Sequence, residues 1–539
     1  MKHFLKKIRQ FIGKVRYILK AIDERKPFQP GESVSHSEEF LRWPLFERMR
    51  LAAQRDADRK HHREHFLNFR SNPAETLRSI SSEDFSADRL LAEITSLSVS
   101  GGEVHLPAGR IELFSELRLA SGVCLVGVPG RTELVFKNSD YGIVLKGNKE
   151  AVLGTSIKNI VIRHEGDNRF CAAVFVSGIS DVLLSHVEII APRAVGFLLA
   201  DGVSRTRLEH CYVSHAGLVG FMMIRDVRDT ILQSCVAEYC GQSGVFLTDL
   251  KLPFGMDPLD FDGQIYHTST VIGNFGPFAP EDPSPYRNTF TDCTFRCNRK
   301  MGITTDGVGY LRVVNCVIAE NDCEGITIDN GSWGCHIQNC HIYSNGWRGL
   351  QHDVELHMDY VGTHGVMEDG SSRSKLPGVS LDNAAYTRIE ENCIEGNWGD
   401  GVKFVRSVYG CTVARNLIAN NNRGMNDSFH FFGVLVGVAE RQHPDQFDFP
   451  GCHNRIVEND IIGRHHAGIH LMHPTTGNLV QNNLIIGALF GPIEDHDSAG
   501  NHIMFNGSDF SVNESTKGIQ SKTQNCDHFD STRHSTGVR

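Results

Sequence analysis

The chain has 539 residues, 40% hydrophobic and 22% charged, with a formal net charge of −10. That composition belongs to a folded protein, and the length exceeds one ordinary domain unless repeats build one long body. The acidic balance excludes a chain-wide surface for nucleic acid or another generally anionic partner.

Residues 1–26 form a first unit. Phe4, Leu5, Ile8, Phe11, Ile12, Val15, Ile18, Leu19 and Ile22 follow helical spacing, and Lys2, Lys6, Lys7, Arg9, Lys14, Arg16 and Lys20 take the other face. No apolar run is long enough for a secretory signal or a membrane span. A basic amphipathic helix suits an anionic membrane surface; docking on the end of the solenoid or on a partner protein is the alternative. Residues 27–85 are a Pro/Gly/Ser linker followed by a charged helical segment. Its histidines, His61, His62 and His65, read as a solvated helix face.

From Ser86 the pattern changes. Ser86-Ala-Asp-Arg-Leu-Leu-Ala-Glu-Ile94 reads as a capping helix, followed by Gly101-Gly-Glu-Val-His-Leu-Pro-Ala-Gly109 and a strand region over 117–128. Repeats then open on glycine. Gly196, Gly220 and Gly244 are 24 residues apart, and Gly302, Gly325, Gly349, Gly378 and Gly401 follow at steps of 23, 24, 29 and 23. A period in the twenties with one strand per unit predicts a solenoid of parallel strands sharing one core. Side chains alternate across a strand. Ile303 and Thr305, Ile326 and Ile328, Val379 and Leu381, and Val402 and Phe404 are therefore expected to point inward. In the earlier coils Leu198, Met222 and Phe246 point outward. So regular an apolar stripe is normally covered, by the N-terminal segment, by the loop after Asp249, or by a second copy in a homo-oligomer.

Fifteen cysteines suggest a disulfide framework. However, Cys211, Cys235, Cys316, Cys340 and Cys393 fall 14 or 15 residues after a repeat glycine, where Asn416 and Asn483 stand in other coils. They read as reduced ladder residues, one per coil, which favours a reducing compartment. With no secretory signal recognised, the expected location is cytoplasmic, peripheral to the inner face of a membrane. Three insertions, 250–286, 354–375 and 423–446, interrupt the repeat, and insertions in a solenoid gather on a binding face. A polar tail, 507–539, is expected to be disordered.

The outward positions of the central coils are Thr304 and Asp306, Thr327 and Asp329, Gln351 and Asp353, and Ser380 and Asp382. Four stacked aspartates, roughly 4.8 Å apart, raise one another's pKa or recruit a cation. Asp329, Asp353 and Asp382 are the candidate metal ligands and Ca²⁺ the candidate cation. Asp306, Asp329, Asp353, His352 and His357 are the candidate catalytic residues, with Tyr386 as a further proton carrier. Trp347 and Trp398, read as two coils apart, would stack on sugar rings, with Gln351, Asp382, Lys403 and Arg406 completing a substrate surface. The bland reading makes each aspartate a turn residue and each tryptophan a shield over a turn.

The opening around Gly101 to Gly109, with its preceding helix, resembles the first coils of the pectate-lyase-like superfamily of right-handed parallel β-helices. The resemblance extends over residues 86–506. It implies an all-β solenoid and a polysaccharide substrate, and the superfamily includes lyases, hydrolases, epimerases and sugar-binding tailspikes. A polysaccharide lyase or uronate C5-epimerase is the leading expectation. Thr305-Asp306-Gly307 is also similar to the Asn-Thr-Asp motif of polygalacturonase-like hydrolases, with Asp329 and His352 at plausible spacings. Gly346-Trp-Arg-Gly349 departs from that family's Gly-His-Gly, and no Arg-Ile-Lys follows. A non-catalytic glycan-binding or assembly scaffold is the third reading.

Overall fold

A computed structural model of the chain describes residues 87–508, apart from 98–99, 121, 138, 148–153, 166–170, 249–286, 330, 347–375, 406, 424–430, 438–450, 473–474 and 497–499. The amphipathic helix, the segment 27–85, most of the inserted loops and the tail beyond Ser508 lie outside the described residues. So do Asp353, His352, His357, Trp347, Gln351 and Arg406.

The chain enters through helix α1 (Ala87–Ser96), whose Leu90 and Ile94 are buried in the first coils. Two parallel sheets follow, one of 13 strands and one of 26. Eight strands of the smaller sheet carry the argument: β1 (Val245–Thr248), β2 (Ile303–Asp306), β3 (Ile326–Asp329), β4 (Val379–Leu381), β5 (Val402–Phe404), β6 (Val434–Val436), β7 (Ala467–Leu471) and β8 (Gly491–Asp495). Each pairs in parallel with the next. The expected alternation is present. Ile303, Ile326, Ile328, Val379, Leu381, Val402 and Phe404 join one apolar core that runs from Leu90 to Ala488.

The repeat glycines open the strands because nothing larger fits. A Cβ on Gly325 would lie 2.6 Å from the Gly378 carbonyl oxygen and 2.9 Å from Asn345 Nδ2. The bends of the larger sheet use a left-handed residue followed by a buried ladder residue. Asn315, Asn339, Glu391 and Arg415 have φ of 54°, 52°, 58° and 55° and precede Cys316, Cys340, Asn392 and Asn416. The left-handed conformation is costly for non-glycine residues, and the ladder compensates. Asn392 Oδ1 accepts from Cys340 N at 2.8 Å, Asn416 Oδ1 from Asn392 N at 2.9 Å, and Asn459 Oδ1 from Asn416 N at 3.0 Å.

All fourteen described cysteines are free. Cys211, Cys235, Cys316 and Cys340 stand in the ladder, but Cys393 does not. Asn392 takes its rung, and Cys393 begins the next strand opposite His341. This coil runs 14 residues from glycine to rung, as the one from Gly302 to Cys316 does, so a count of 15 from Gly378 lands one residue late.

The unit opening at Gly349 is not a rung. Strand β3 pairs directly with β4, Ile326 beside Val379 and Ile328 beside Leu381, so the hydrogen bonds on that side of β3 are already taken. Asp353, Gln351 and His352 therefore do not stand between Asp329 and Asp382. Trp398 N donates to Asn345 O at 2.9 Å, so Asn345 and Trp398 belong to neighbouring coils. At the C-terminal end, Gly507–Ser508 still pairs with Leu484–Ile486, which carries the solenoid just past 506.

Candidate functional site

The outward positions of the smaller sheet stack into columns. One contains Phe246, Thr304, Thr327, Ser380, Lys403, Leu435, His470 and Glu494. The next begins Thr248, Asp306, Asp329. Asp382 extends it through its N–H to Ile328 O at 2.9 Å. Three of the four expected aspartates are thus adjacent rungs of one row.

These columns lie outside the core, yet their central residues are buried. Thr304, Asp306, Thr327, Asp329, Ser380 and Asp382 are all no more than 3% exposed, while Lys403 is half-buried. Further toward the N-terminus Leu198, Met222 and Phe246 are buried in a second apolar cluster, separate from the core. The two covers expected for that stripe, residues 1–26 and the loop after Asp249, lie outside the described residues.

A third column consists of the residue before each repeat glycine. Its direction is set by Ser243, whose Oγ is 3.1 Å from Thr304 Oγ1 on the following coil. The position therefore faces the same side as the threonine column. Other coils place Val219, Met301 and Phe432 there, but two place carboxylates, Glu324 and Asp400. Both are buried. Burial pushes Glu324 up to about 7, and the charge of Asp382 raises it further, against the pull of Lys403 and Lys300. Glu324 Oε1 and Thr327 Oγ1 meet no hydrogen-bond partner among the described residues. Burial likewise pushes Asp400 up to about 6, opposed by Lys403 and by the Phe432 N–H, which Asp400 Oδ1 accepts at 2.7 Å. Lys403 thus acts electrostatically on two carboxyls two rungs apart, roughly 10 Å along the stack.

Sequence reasoning named Asp306, Asp329, Asp382 and Lys403 on this face and missed Glu324 and Asp400. The signal was available: a charge immediately before the repeat glycine, in a column that is otherwise apolar or small. A carboxyl that changes charge near neutrality, beside a cation and a second carboxyl, can give and take a proton.

The aromatic residues fall elsewhere. Trp398 is buried in a turn, with the Arg423 guanidinium 4.8 Å from its ring centroid. Arg423 also donates to Gly396 O at 2.8 Å. Trp333 is buried beside Tyr310, with ring centroids 4.4 Å apart. Tyr386 lies four residues past Asp382, exposed, edge-on to Tyr409.

Residues 281–358 match the family model described as a right handed beta helix region. No curated protein matches the sequence. Among solved structures, the catalytic domain of a GH87 α-1,3-glucanase in complex with tetrasaccharides aligns with 81% of this chain and 71% of its own. The TM-score is 0.54 and the identity 13%. The A-module of the Azotobacter vinelandii mannuronan C-5 epimerase AlgE4 aligns over 77% of this chain and 95% of its own, at TM-score 0.49 and 17% identity. The periplasmic alginate epimerase AlgG aligns over 79% and 83%, at 0.45 and 12%. With its stacked parallel rungs, glycine-opened strands and single axial core, the chain has the right-handed parallel β-helix fold.

Proposed function

We propose that this β-helix is an enzyme acting on a polysaccharide at the outer face of β2–β5, and that it hydrolyses a glycosidic bond with Glu324 as proton donor. Glu324 is the observation that carries the reading. Glycoside hydrolysis needs one carboxyl that is still protonated near neutral pH and a second that is ionised. Glu324, held at about 7 by burial, suits the first role, and Asp382, whose charge acts on it, suits the second. Asp329 and Asp306 continue the acidic row behind Asp382.

The charge balance of the face favours a neutral polymer. Even with Glu324 protonated, Asp400, Asp306, Asp329 and Asp382 share the face with Lys403 and Lys300, so a polyuronate would meet like charge in a partly desolvated site. The neighbour with the higher TM-score has a neutral glucan in its printed activity.

Lys403 supports a second reading, lyase or C5-epimerase chemistry. An ammonium beside a carboxyl that titrates near neutrality could neutralise a uronate carboxylate while Glu324 moves the C5 proton. A Ca²⁺ held by Asp329 and Asp382 would add to that neutralisation.

The full-length protein is to be incubated with α-1,3-glucan and other neutral glucans, with mannuronan and with polygalacturonate. New reducing ends from a neutral polymer, without absorbance near 235 nm, are the expected result. Glu324→Gln should abolish them and Asp329→Asn should reduce them while the melting temperature holds. Absorbance near 235 nm, or solvent-proton exchange at C5 of a uronate, would replace hydrolysis with the second reading. Binding without any turnover would leave a glycan-binding scaffold.

A further inference from the structure

The last two rungs of the smaller sheet carry a group of side chains that the polysaccharide reading does not use. His470 on β7 and Glu494 on β8 are direct register partners. His470 Nδ1 lies 2.8 Å from Glu494 Oε2, and His496 Nε2 lies 4.0 Å from that oxygen. His466, at the start of the same coil as His470, brings Nε2 to 3.6 Å from Glu494 Oε1. Three imidazoles thus surround one carboxylate. They cannot all be cationic without repelling one another, and neutral imidazoles with a carboxylate are a ligand set for a borderline metal ion.

The rings are held in place by packing. His470 lies against Phe432 at 4.3 Å and against His496 at 4.9 Å, and His466 lies against Phe490 at 4.3 Å. His470 is buried, Glu494 half-buried and His496 exposed, so the group has a rigid wall and an entrance from solvent. The donor atoms of His470, Glu494 and His496 all fall within 4.8 Å of one another. A tetrahedral zinc site needs its donors roughly 3.3 Å apart around bonds of about 2.0–2.1 Å. Of these three the exposed His496 has the furthest to move, and His466, 3.6 Å from the other carboxylate oxygen, has to turn in as the fourth.

We propose that His470, Glu494 and His496, with His466 as the fourth neighbour, bind one zinc-class divalent ion that ties the final two rungs together. Nitrogen ligands disfavour Ca²⁺ and Mg²⁺ at this position. Among the described residues β8 is the last strand of its sheet and less buried than β7, and the terminal repeat of a solenoid lacks a neighbour on one side. A metal bridging β7 and β8 supplies a cross-link between the last two described rungs, and couples ion binding to the stability of that end.

The test uses the full chain stripped with a chelator and then titrated with Zn²⁺ against a colorimetric chelator, with thermal melts at each stage. One tight equivalent and a melting temperature raised by several degrees are expected. Glu494→Gln and His470→Ala should each lose that equivalent and the rise in melting temperature. His496→Ala, at an exposed position, should weaken binding at least tenfold while leaving the zinc-free melt unchanged, so failed folding cannot imitate the result. A second group, His341, Cys393 and Glu395 on the larger sheet, also gathers possible ligands. If the equivalent survives His496→Ala and disappears with Cys393→Ser, the ion belongs to that group and the proposal is overturned. Wild-type affinity in Glu494→Gln, or no tight equivalent in the wild-type chain, overturns it as well.

Discussion

Replacing Glu324 with glutamine tests the electrostatics of the site without requiring a substrate. The substitution keeps shape and volume and removes the proton equilibrium. In the folded chain burial moves this carboxyl from 4.5 to about 7. The native state therefore holds its proton more tightly than the unfolded chain, and stability falls as pH rises between those values. Each tenfold change in proton affinity is worth about 1.4 kcal/mol, so an ionised Glu324 costs about 3 kcal/mol at pH 8 and almost nothing at pH 4. Glu324→Gln should match the wild type at pH 4, within a constant offset, and exceed it by about 3 kcal/mol at pH 8. Urea unfolding at a series of pH values gives the difference directly, and the contribution of Asp400, common to both proteins, cancels. A difference that stays flat from pH 4 to pH 8 would refute the argument, as would a variant that loses relative stability toward pH 8. Glu324 would then be ionised at little cost and could not be the proton donor proposed for it.

The remaining expectations concern the core, the ladder and the N-terminus. Ile328→Ala should destabilise by roughly 2–5 kcal/mol, because Ile328 is fully buried in the axial core. Thr327→Ala, whose hydroxyl has no partner among the described residues, should cost little, and equal melts for the two variants would put the strand register in error. Asn345→Ala should cost about 2–6 kcal/mol, because Asn345 Oδ1 accepts from both the backbone N and the Nδ2 of Asn321, at 3.1 and 2.9 Å. Losing it strands two buried donors at about 1–3 kcal/mol each, and a chemical-denaturation loss below 1 kcal/mol would show the ladder to be decorative. Removing residues 1–26 should leave the solenoid's far-ultraviolet circular dichroism intact and abolish sedimentation with anionic vesicles. Undiminished vesicle binding would reject the membrane reading of that helix.

The sequence by itself determined the solenoid, its inward and outward faces and the unpaired state of the ladder cysteines. A period in the twenties and a two-residue alternation are local patterns, and stacking like on like needs no further information. Asp306, Asp329 and Asp382 were legible for the same reason. What the tertiary structure decided was which glycine-led segments become rungs. Gly349-Leu-Gln-His-Asp353 fits the repeat by spacing, but as a rung it would turn His352 toward the core, where Ile328 and Leu381 now meet. Strand β3 has one set of hydrogen bonds to give on that side, and Val379–Leu381 takes them with apolar side chains. The pairing of the coils likewise placed Asn392 rather than Cys393 in the ladder, since Cys393 pairs with His341 and the residue before it meets Cys340. The proton affinity of Glu324 was likewise beyond the reach of sequence. A glutamate before a glycine is ordinary until stacking buries it near Asp382 and within the field of Lys403, because desolvation depends on what surrounds a charge rather than on its neighbours in the chain.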